Sequence, residues 1–339
     1  MQVAGKIREI SGLRPADIPL TALLAGGEPV VLRGVTIDWE IVKRGLASSE
    51  GARRYIASFY NGRPIDFCFG DPDINGRPHY KPDLSALNFK MRRDRLDTML
   101  EEIGSHIGDE RPPLYYASSL PVDTFLPGFS KDNDLGLAAR GIDAPPGIWI
   151  GNRTITSAHY DAQNNIACVA VGRRRFTVFP PEQIFNLYPG PLDPTPGGQA
   201  VTSVDFSNPD FERFPAFREA LAAALCAELE PGDAIFVPSM WWHHVEGLSP
   251  FNTLVNYWWS SAPEFIPSPV NALYHAMWTI RDLPEPEKQA WLNVFQYYVF
   301  GPAGRAGAHL PEPSRGALAP IDDLRARRIR AMLSNMLNR

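Results

Sequence analysis

Cysteine is scarce in this chain. Cys68, Cys168 and Cys226 lie far apart and form no CxxC pair. So sparse and odd a set excludes a disulfide framework and fits a reducing compartment. Long hydrophobic runs are missing too: no window offers the roughly 18 uninterrupted apolar residues of a membrane span. The first residues, MQVAGKIREISGL, lack the apolar stretch of a secretory leader, so a cytoplasmic place is expected. Charge of one sign is also lacking. The formal net charge is -5 with acids and bases intermixed, which gives no strong nucleic-acid signal and no pull toward an anionic membrane. There is no internal repeat.

What is present is the make-up of a globular protein. Of 339 residues, 44% are hydrophobic and 21% charged, enough for a sizeable core. Proline is abundant, with 33 residues, many in short runs such as Pro180-Pro181 that break helices and favour strands and loops.

The pattern divides the chain into three consecutive parts. Residues 1–113 read as an α/β part packing on a central barrel, with a strand at Glu28–Arg33 and a helical period over Arg92–Ile103. Residues 114–262 change to short apolar runs bounded by Gly, Pro and Asp. Strands are predicted at Ile148–Ile150, Asn165–Val171, Arg175–Phe179, Ala234–Val237, His243–Leu248 and Thr253–Trp259, a pattern that suggests a sandwich, jelly roll or barrel. Residues 263–339 turn helical, with candidates at Asn271–Asp282, Glu287–Phe300 and an amphipathic Ile321–Asn338.

The informative segment is Thr156-Ser-Ala-His159-Tyr-Asp161. On an extended strand residues i and i+2 share a face, so His159 and Asp161 project together. A third ligand comes from Pro231-Gly-Asp-Ala-Ile-Phe-Val-Pro238-Ser-Met-Trp-Trp-His243-His244, where a turn launches an apolar strand that ends in histidines. Two histidines and one carboxylate on one side of a metal leave three positions open, the arrangement of non-haem iron(II) oxygenases. A bidentate 2-oxo acid takes two of these and O2 the last. Lone histidines such as His79, His106, His275 and His309 are more often structural, and at least one of Trp241 and Trp242 reads as core. A 2-oxo diacid also needs a cation. Gly172-Arg-Arg-Arg175 offers three, from which one guanidinium would make a bidentate fork.

These residues resemble the cupin-like branch of the JmjC-domain oxygenases, most closely its asparaginyl hydroxylases of the factor-inhibiting-HIF type. The similarity is densest from Leu114 to Trp258. It runs through LYYASSL (114–120), TSAHYDAQNN (156–165), FPPEQ (179–183), DFSNPDFERFP (205–215), PGDAIFVPSMWWHHVE (231–246) and VNYW (255–258). The resemblance implies a mainly β fold with flanking helices, the double-stranded β-helix (jelly-roll) barrel. It implies Fe(2+) held by His159, Asp161 and His243, with 2-oxoglutarate and O2 as cosubstrates. Tyr115, Thr156 and Asn165 match residues lining the 2-oxoglutarate pocket, and Asn256 an asparagine near it. Arg174 falls where the family has a lysine on the distal carboxylate, with Arg175 the alternative.

The expected reaction is hydroxylation of a C–H bond coupled to decarboxylation of 2-oxoglutarate to succinate and CO2. A protein side chain is the first substrate class and a small molecule the second. The rival is a non-oxygenase metallo-cupin. The C-terminal helices are expected to make a homodimer.

Overall fold

The computed structural model describes residues 5–338. Fourteen strands are present among them: β1 (Gly5–Lys6), β2 (Arg8–Ser11), β3 (Val30–Arg33), β4 (Ile65–Gly70), β5 (Lys90–Asp94), β6 (Leu114–Pro121), β7 (Pro146–Gly151), β8 (Ile155–Tyr160), β9 (Asn164–Val171), β10 (Arg174–Phe179), β11 (Leu225–Leu229), β12 (Ala234–Val237), β13 (Trp242–Gly247) and β14 (Asn252–Trp259). They make a five-stranded sheet in the order β1-β11-β10-β13-β8 and a nine-stranded one in the order β2-β3-β12-β9-β14-β7-β6-β4-β5. The architecture is a mainly β jelly roll, cupin-like, whose two sheets do not close into one continuous wall.

Burial explains the layering. Every residue of β9 is buried, and its side chains alternate between two cores. Ala167 and Val169 meet Phe176, Val178, Ile235 and Val237 between the sheets. Ile166, Cys168 and Ala170 face the other way, onto α1 (Leu20–Gly26), α2 (Glu40–Ala47), α3 (Ser49–Phe59) and α4 (Leu96–Ser105). Ser48 separates α2 from α3 and caps the second, its hydroxyl accepting from the Gly51 N–H at 2.9 Å. After the short α5 (Val122–Phe125), α6 (Phe217–Ala223) covers the outer face of the five-stranded sheet through Phe217 and Ala220.

At Gly172 the chain passes from β9 in one sheet to β10 in the other. Its φ is +73°, and a Cβ there would come within 2.5 Å of the Phe251 carbonyl oxygen, so glycine alone fits. This turn delivers Arg174 as the first residue of β10.

The chain divides once, into Met1–Ser260 and Ser261–Arg339. No break falls at residue 113: β2 to β5 extend the nine-stranded sheet and β1 the five-stranded one. The helical period expected over Arg92–Ile103 needs correcting at its start. Lys90–Asp94 pairs with β4 as an edge strand, and the helix begins at Leu96. Its apolar stripe of Leu96, Met99, Leu100 and Ile103 is buried as the period requires.

The C-terminal unit carries α7 (Val270–Thr279), α8 (Glu285–Tyr298) and α9 (Asp323–Leu337), and no residue of the three is buried. Asp322 caps α9 by accepting from the Arg325 N–H at 2.7 Å. No described helix is long and apolar enough to cross a membrane. The three cysteines are free.

Candidate metal centre

Strand β8 lies at the edge of its sheet beside β13, and the pairing is irregular. His243 sits opposite His159 and Val245 opposite Thr156, so Ser157 and Ala158 together oppose His244. This is a β-bulge. Without it Thr156 and His159, three apart, would face opposite sides; with it both line one cavity. Asp161 comes at the strand end, where its carbonyl oxygen accepts from the Met240 N–H at 2.8 Å.

The ligand atoms of His159, Asp161 and His243 all lie within 4.8 Å of one another. Each histidine also has its Nδ1 3.0 Å from a backbone carbonyl, that of Ser157 for His159 and of Trp241 for His243. A carbonyl only accepts, so Nδ1 carries the proton and Nε2 presents a lone pair. Burial, together with the neighbouring His159, holds His243 well below the ordinary imidazole pKa and keeps it neutral. His243 Nε2 is 3.6 Å from Asp161 Oδ2. A protonated histidine would make that a salt bridge, but a neutral one leaves two acceptors facing each other. Asp161 Oδ2 is buried with no hydrogen-bond partner. A cation between them satisfies both, so the donor set fits a resident metal.

His244 points the other way. It stacks on Phe206, ring centroids 4.3 Å apart, and burial pushes its pKa down to about 3.

The cavity beside the triad is narrow, with a volume of about 50 Å³. Arg174 enters it from β10, only 4% exposed. The strand's alternation separates the three arginines. Arg173 pairs with Glu228 and Glu230 and Arg175 with Glu228 and Glu246, all outside. Among the described residues no carboxylate lies within ion-pair distance of Arg174, and its Nε has no partner. Burial lowers its pKa, opposed by the Tyr116 phenol. A buried, unpaired guanidinium is costly unless an anion completes it.

A family model described as a cupin-like domain matches residues 15–265. The chain belongs to the cupin-like domain family. It is 36% identical over 251 residues to HSPB1-associated protein 1 of Bos taurus, covering 68% of this chain and 48% of that protein. It is 28% identical over 153 residues to JmjC domain-containing protein C of Dictyostelium discoideum, 43% of this chain and 36% of the other. With Lysine-specific demethylase JMJ31 of Arabidopsis thaliana the match is 34% over 108 residues, 31% and 19% of the two chains. The chain thus spans less than half the length of each. Members of the JmjC/cupin-like family are typically iron- and 2-oxoglutarate-dependent oxygenases.

Within this cupin-like chain one expected pocket residue is misplaced. Tyr115 does not line the cavity; its ring packs against Phe67 and Phe69, with centroids 6.3 and 5.4 Å away. Tyr116 faces inward instead, its hydroxyl 3.3 Å from Thr156 Oγ1. Neighbours on a strand face opposite sides, and β6 shifts register between Ala117 and Leu120. A resemblance aligned one residue off therefore selects the wrong ring.

Thr156, Asn165 and Asn256 do line the cavity. So do Trp149 and Trp258, which the motifs do not single out. Leu254, Asn256 and Trp258 share one face of β14, and that two-residue period is a signal available for Trp258. Trp241 and Trp242 are both packed in cores, and the Trp241 indole N–H donates to the Gly27 carbonyl oxygen at 3.0 Å.

Proposed function

We propose that this cupin-like protein is an iron(II)- and 2-oxoglutarate-dependent dioxygenase that hydroxylates a C–H bond, first of all on a protein side chain. The observation that carries the reading is the buried Arg174 guanidinium without a carboxylate, facing the same cavity as three convergent metal-ligand side chains. One end of the cavity supplies ligands for a divalent metal and the other a cation for a carboxylate, which is the polarity of a 2-oxo diacid bound through its oxo end.

His159, Asp161 and His243 would hold the iron, their Nδ1 hydrogen bonds fixing both imidazoles with Nε2 inward. When bound, iron with 2-oxoglutarate and O2 supplies the oxidising chemistry, the cosubstrate leaving as succinate and CO2. Arg174 would take the distal carboxylate, with the Tyr116 and Thr156 hydroxyls beside it, and Asn165 and Asn256 line the same wall. The aromatic wall of Tyr116, Trp149 and Trp258 limits water around the reacting centre.

Hydroxylation of an N-methyl carbon leads to demethylation, the activity in the name of the Arabidopsis relative. Kinship to the asparaginyl hydroxylases stays within the same reading, as does a small-molecule substrate. A cytoplasmic place and a homodimer through the C-terminal unit are also part of it. The dimer is supported by apolar side chains such as Trp278 and Phe300, 74% and 70% exposed.

A non-oxygenase metallo-cupin would need no unpaired Arg174. Anaerobic addition of iron(II) and 2-oxoglutarate separates the two readings. The oxygenase gives a weak visible metal-to-ligand charge-transfer band; its absence with iron verifiably bound supports the metallo-cupin.

A further inference from the structure

The neutral wall of the cavity contains a chain of side-chain hydrogen bonds whose direction is fixed at one end. Trp149 on β7 and Asn256 on β14 both line the cavity, and the indole Nε1 lies 2.8 Å from Asn256 Oδ1. An indole N–H donates and never accepts, so the atom it meets must be the amide oxygen. That removes the usual ambiguity of a carboxamide, whose two ends differ little in shape.

The Asn256 NH2 group is thereby turned the other way, where it lies 3.5 Å from Asn165 Oδ1. Asn165 in turn has its oxygen engaged, and its own NH2 is left for the cavity that it lines. Asn256 is 1% exposed and cannot exchange these partners for bulk water. Gly147, paired opposite Asn256 on β7, leaves the amide its room, since a Cβ there would come 2.9 Å from Oδ1.

We propose that Trp149 is a positioning residue for the cosubstrate: through Asn256 it fixes Asn165 with the NH2 group facing the cavity. The polar wall then meets its ligand with N–H donors, matching the acceptor oxygens of a 2-oxo acid and the charge of Arg174. With the indole N–H gone, Asn256 is free to rotate. Asn165 can then follow and turn its oxygen toward the ligand's oxygens. This inference rests on the dioxygenase reading and adds to it the residue that sets the wall's polarity.

The test is direct binding of 2-oxoglutarate to metal-loaded protein, by anaerobic titration of the iron(II) charge-transfer band or by calorimetry on the manganese(II) form. Trp149→Phe keeps an aromatic ring and loses the donor. It should bind 2-oxoglutarate about five- to tenfold more weakly, the scale of one net hydrogen bond, with metal affinity unchanged. In turnover its KM for 2-oxoglutarate should rise while kcat at saturation stays near wild type.

Because Trp149 acts through Asn256, adding Trp149→Phe to Asn256→Ala should weaken binding no further. Asn256→Asp is isosteric, retains an acceptor for the indole and offers no donor to Asn165. It should cost more than tenfold, and it serves where the alanine variant melts early. Equal affinity of Trp149→Phe and wild type, or the same loss in both Asn256 backgrounds, overturns the proposal while the dioxygenase reading stands. If wild-type protein with metal bound takes up no 2-oxoglutarate, the dioxygenase reading fails first and this inference with it.

Discussion

Among the described residues, Met1–Ser260 leaves several buried polar atoms without a hydrogen bond, whereas Ser261–Arg339 leaves most of its large apolar side chains exposed. The first unit has a dense core. Among its buried side-chain atoms lacking a hydrogen bond, Asp161 Oδ2, Arg174 Nε and Trp258 Nε1 belong to residues lining a single cavity. The second unit buries, among its described residues, only Gly307 and Ala319. Trp278, Trp291, Tyr298, Phe300, Met336 and Leu337 are all exposed.

An unpaired polar atom in a dry core costs free energy that a small ligand can recover. An apolar helix face in water costs free energy that another surface recovers. The two deficits therefore point to two kinds of missing component, and variants that remove one deficit at a time separate them.

The largest effect belongs to the triad. His159→Ala, Asp161→Ala or His243→Ala should each abolish 2-oxoglutarate-dependent turnover and sharply weaken iron binding in metal titrations. His244→Ala should keep the metal, because its ring stacks on Phe206 away from the cavity. The reverse pattern for the two neighbouring histidines would overturn the assignment. Removing metal from wild-type protein by chelation should leave the fold intact, since the core clusters are built from apolar side chains and include none of the three ligands.

Arg174 comes next and tests whether its isolation is a functional cost. Arg174→Met has similar length and no charge. It should weaken 2-oxoglutarate binding by roughly ten- to a hundredfold, about 1.5–3 kcal/mol for a charge-assisted contact. The same variant should melt at a higher temperature than wild type in the absence of ligand, because a buried unpaired charge has been removed. A lower melting point would mean that Arg174 is already satisfied inside the protein.

These two sites differ in how legible they are in the sequence. His159 and Asp161 can be named because strand alternation and residue chemistry both select them, whereas alternation leaves His243 and His244 open and the resemblance selects His243; the structure brings the three ligand atoms together. Among the arginines, the resemblance selects Arg174 while local pattern does not, and β10 starts there, which turns Arg173 and Arg175 outward to Glu228. The bulge at Ser157 and Ala158 leaves no mark in the sequence, because it is a property of pairing with β13. Tyr115 is mistaken for Tyr116 for the same reason: side-chain direction depends on register, which local pattern does not carry. Lys90–Asp94 merges with the helix beside it because its charged residues have no period of their own. Pairing with β4 makes it a strand.

The C-terminal unit carries the third prediction. Truncation after about Pro320 removes α9 and its exposed Leu324, Met332, Leu333, Met336 and Leu337. Light scattering should then show a smaller assembly than the full chain, with the barrel unit's 2-oxoglutarate binding retained. If the full chain is already monomeric at micromolar concentration, a second copy does not cover this face.

The smallest expected effect probes a buried polar group that, unlike Arg174, is satisfied. His79 is 6% exposed and its Nε2 lies 3.0 Å from the Thr202 carbonyl oxygen. The carbonyl must accept, so Nε2 carries a proton. Burial, with the nearby Arg77 cation second, pushes its pKa down to about 4. In the unfolded chain the value returns to roughly 6.5. Below that pH the unfolded state binds a proton that the folded state refuses. The contribution is therefore fully present above about pH 6.5 and is lost as the pH falls toward 4. By pH 5 the loss approaches about 2 kcal/mol. In His79→Gln the side-chain amide can still donate to Thr202 but does not titrate. Thermal melts at pH 7 should find the variant somewhat less stable than wild type, and the gap should narrow by pH 5. Contributions from the rest of the chain are common to both proteins and cancel in the difference. Parallel melting curves across that range would show that His79 is not buried in its neutral form.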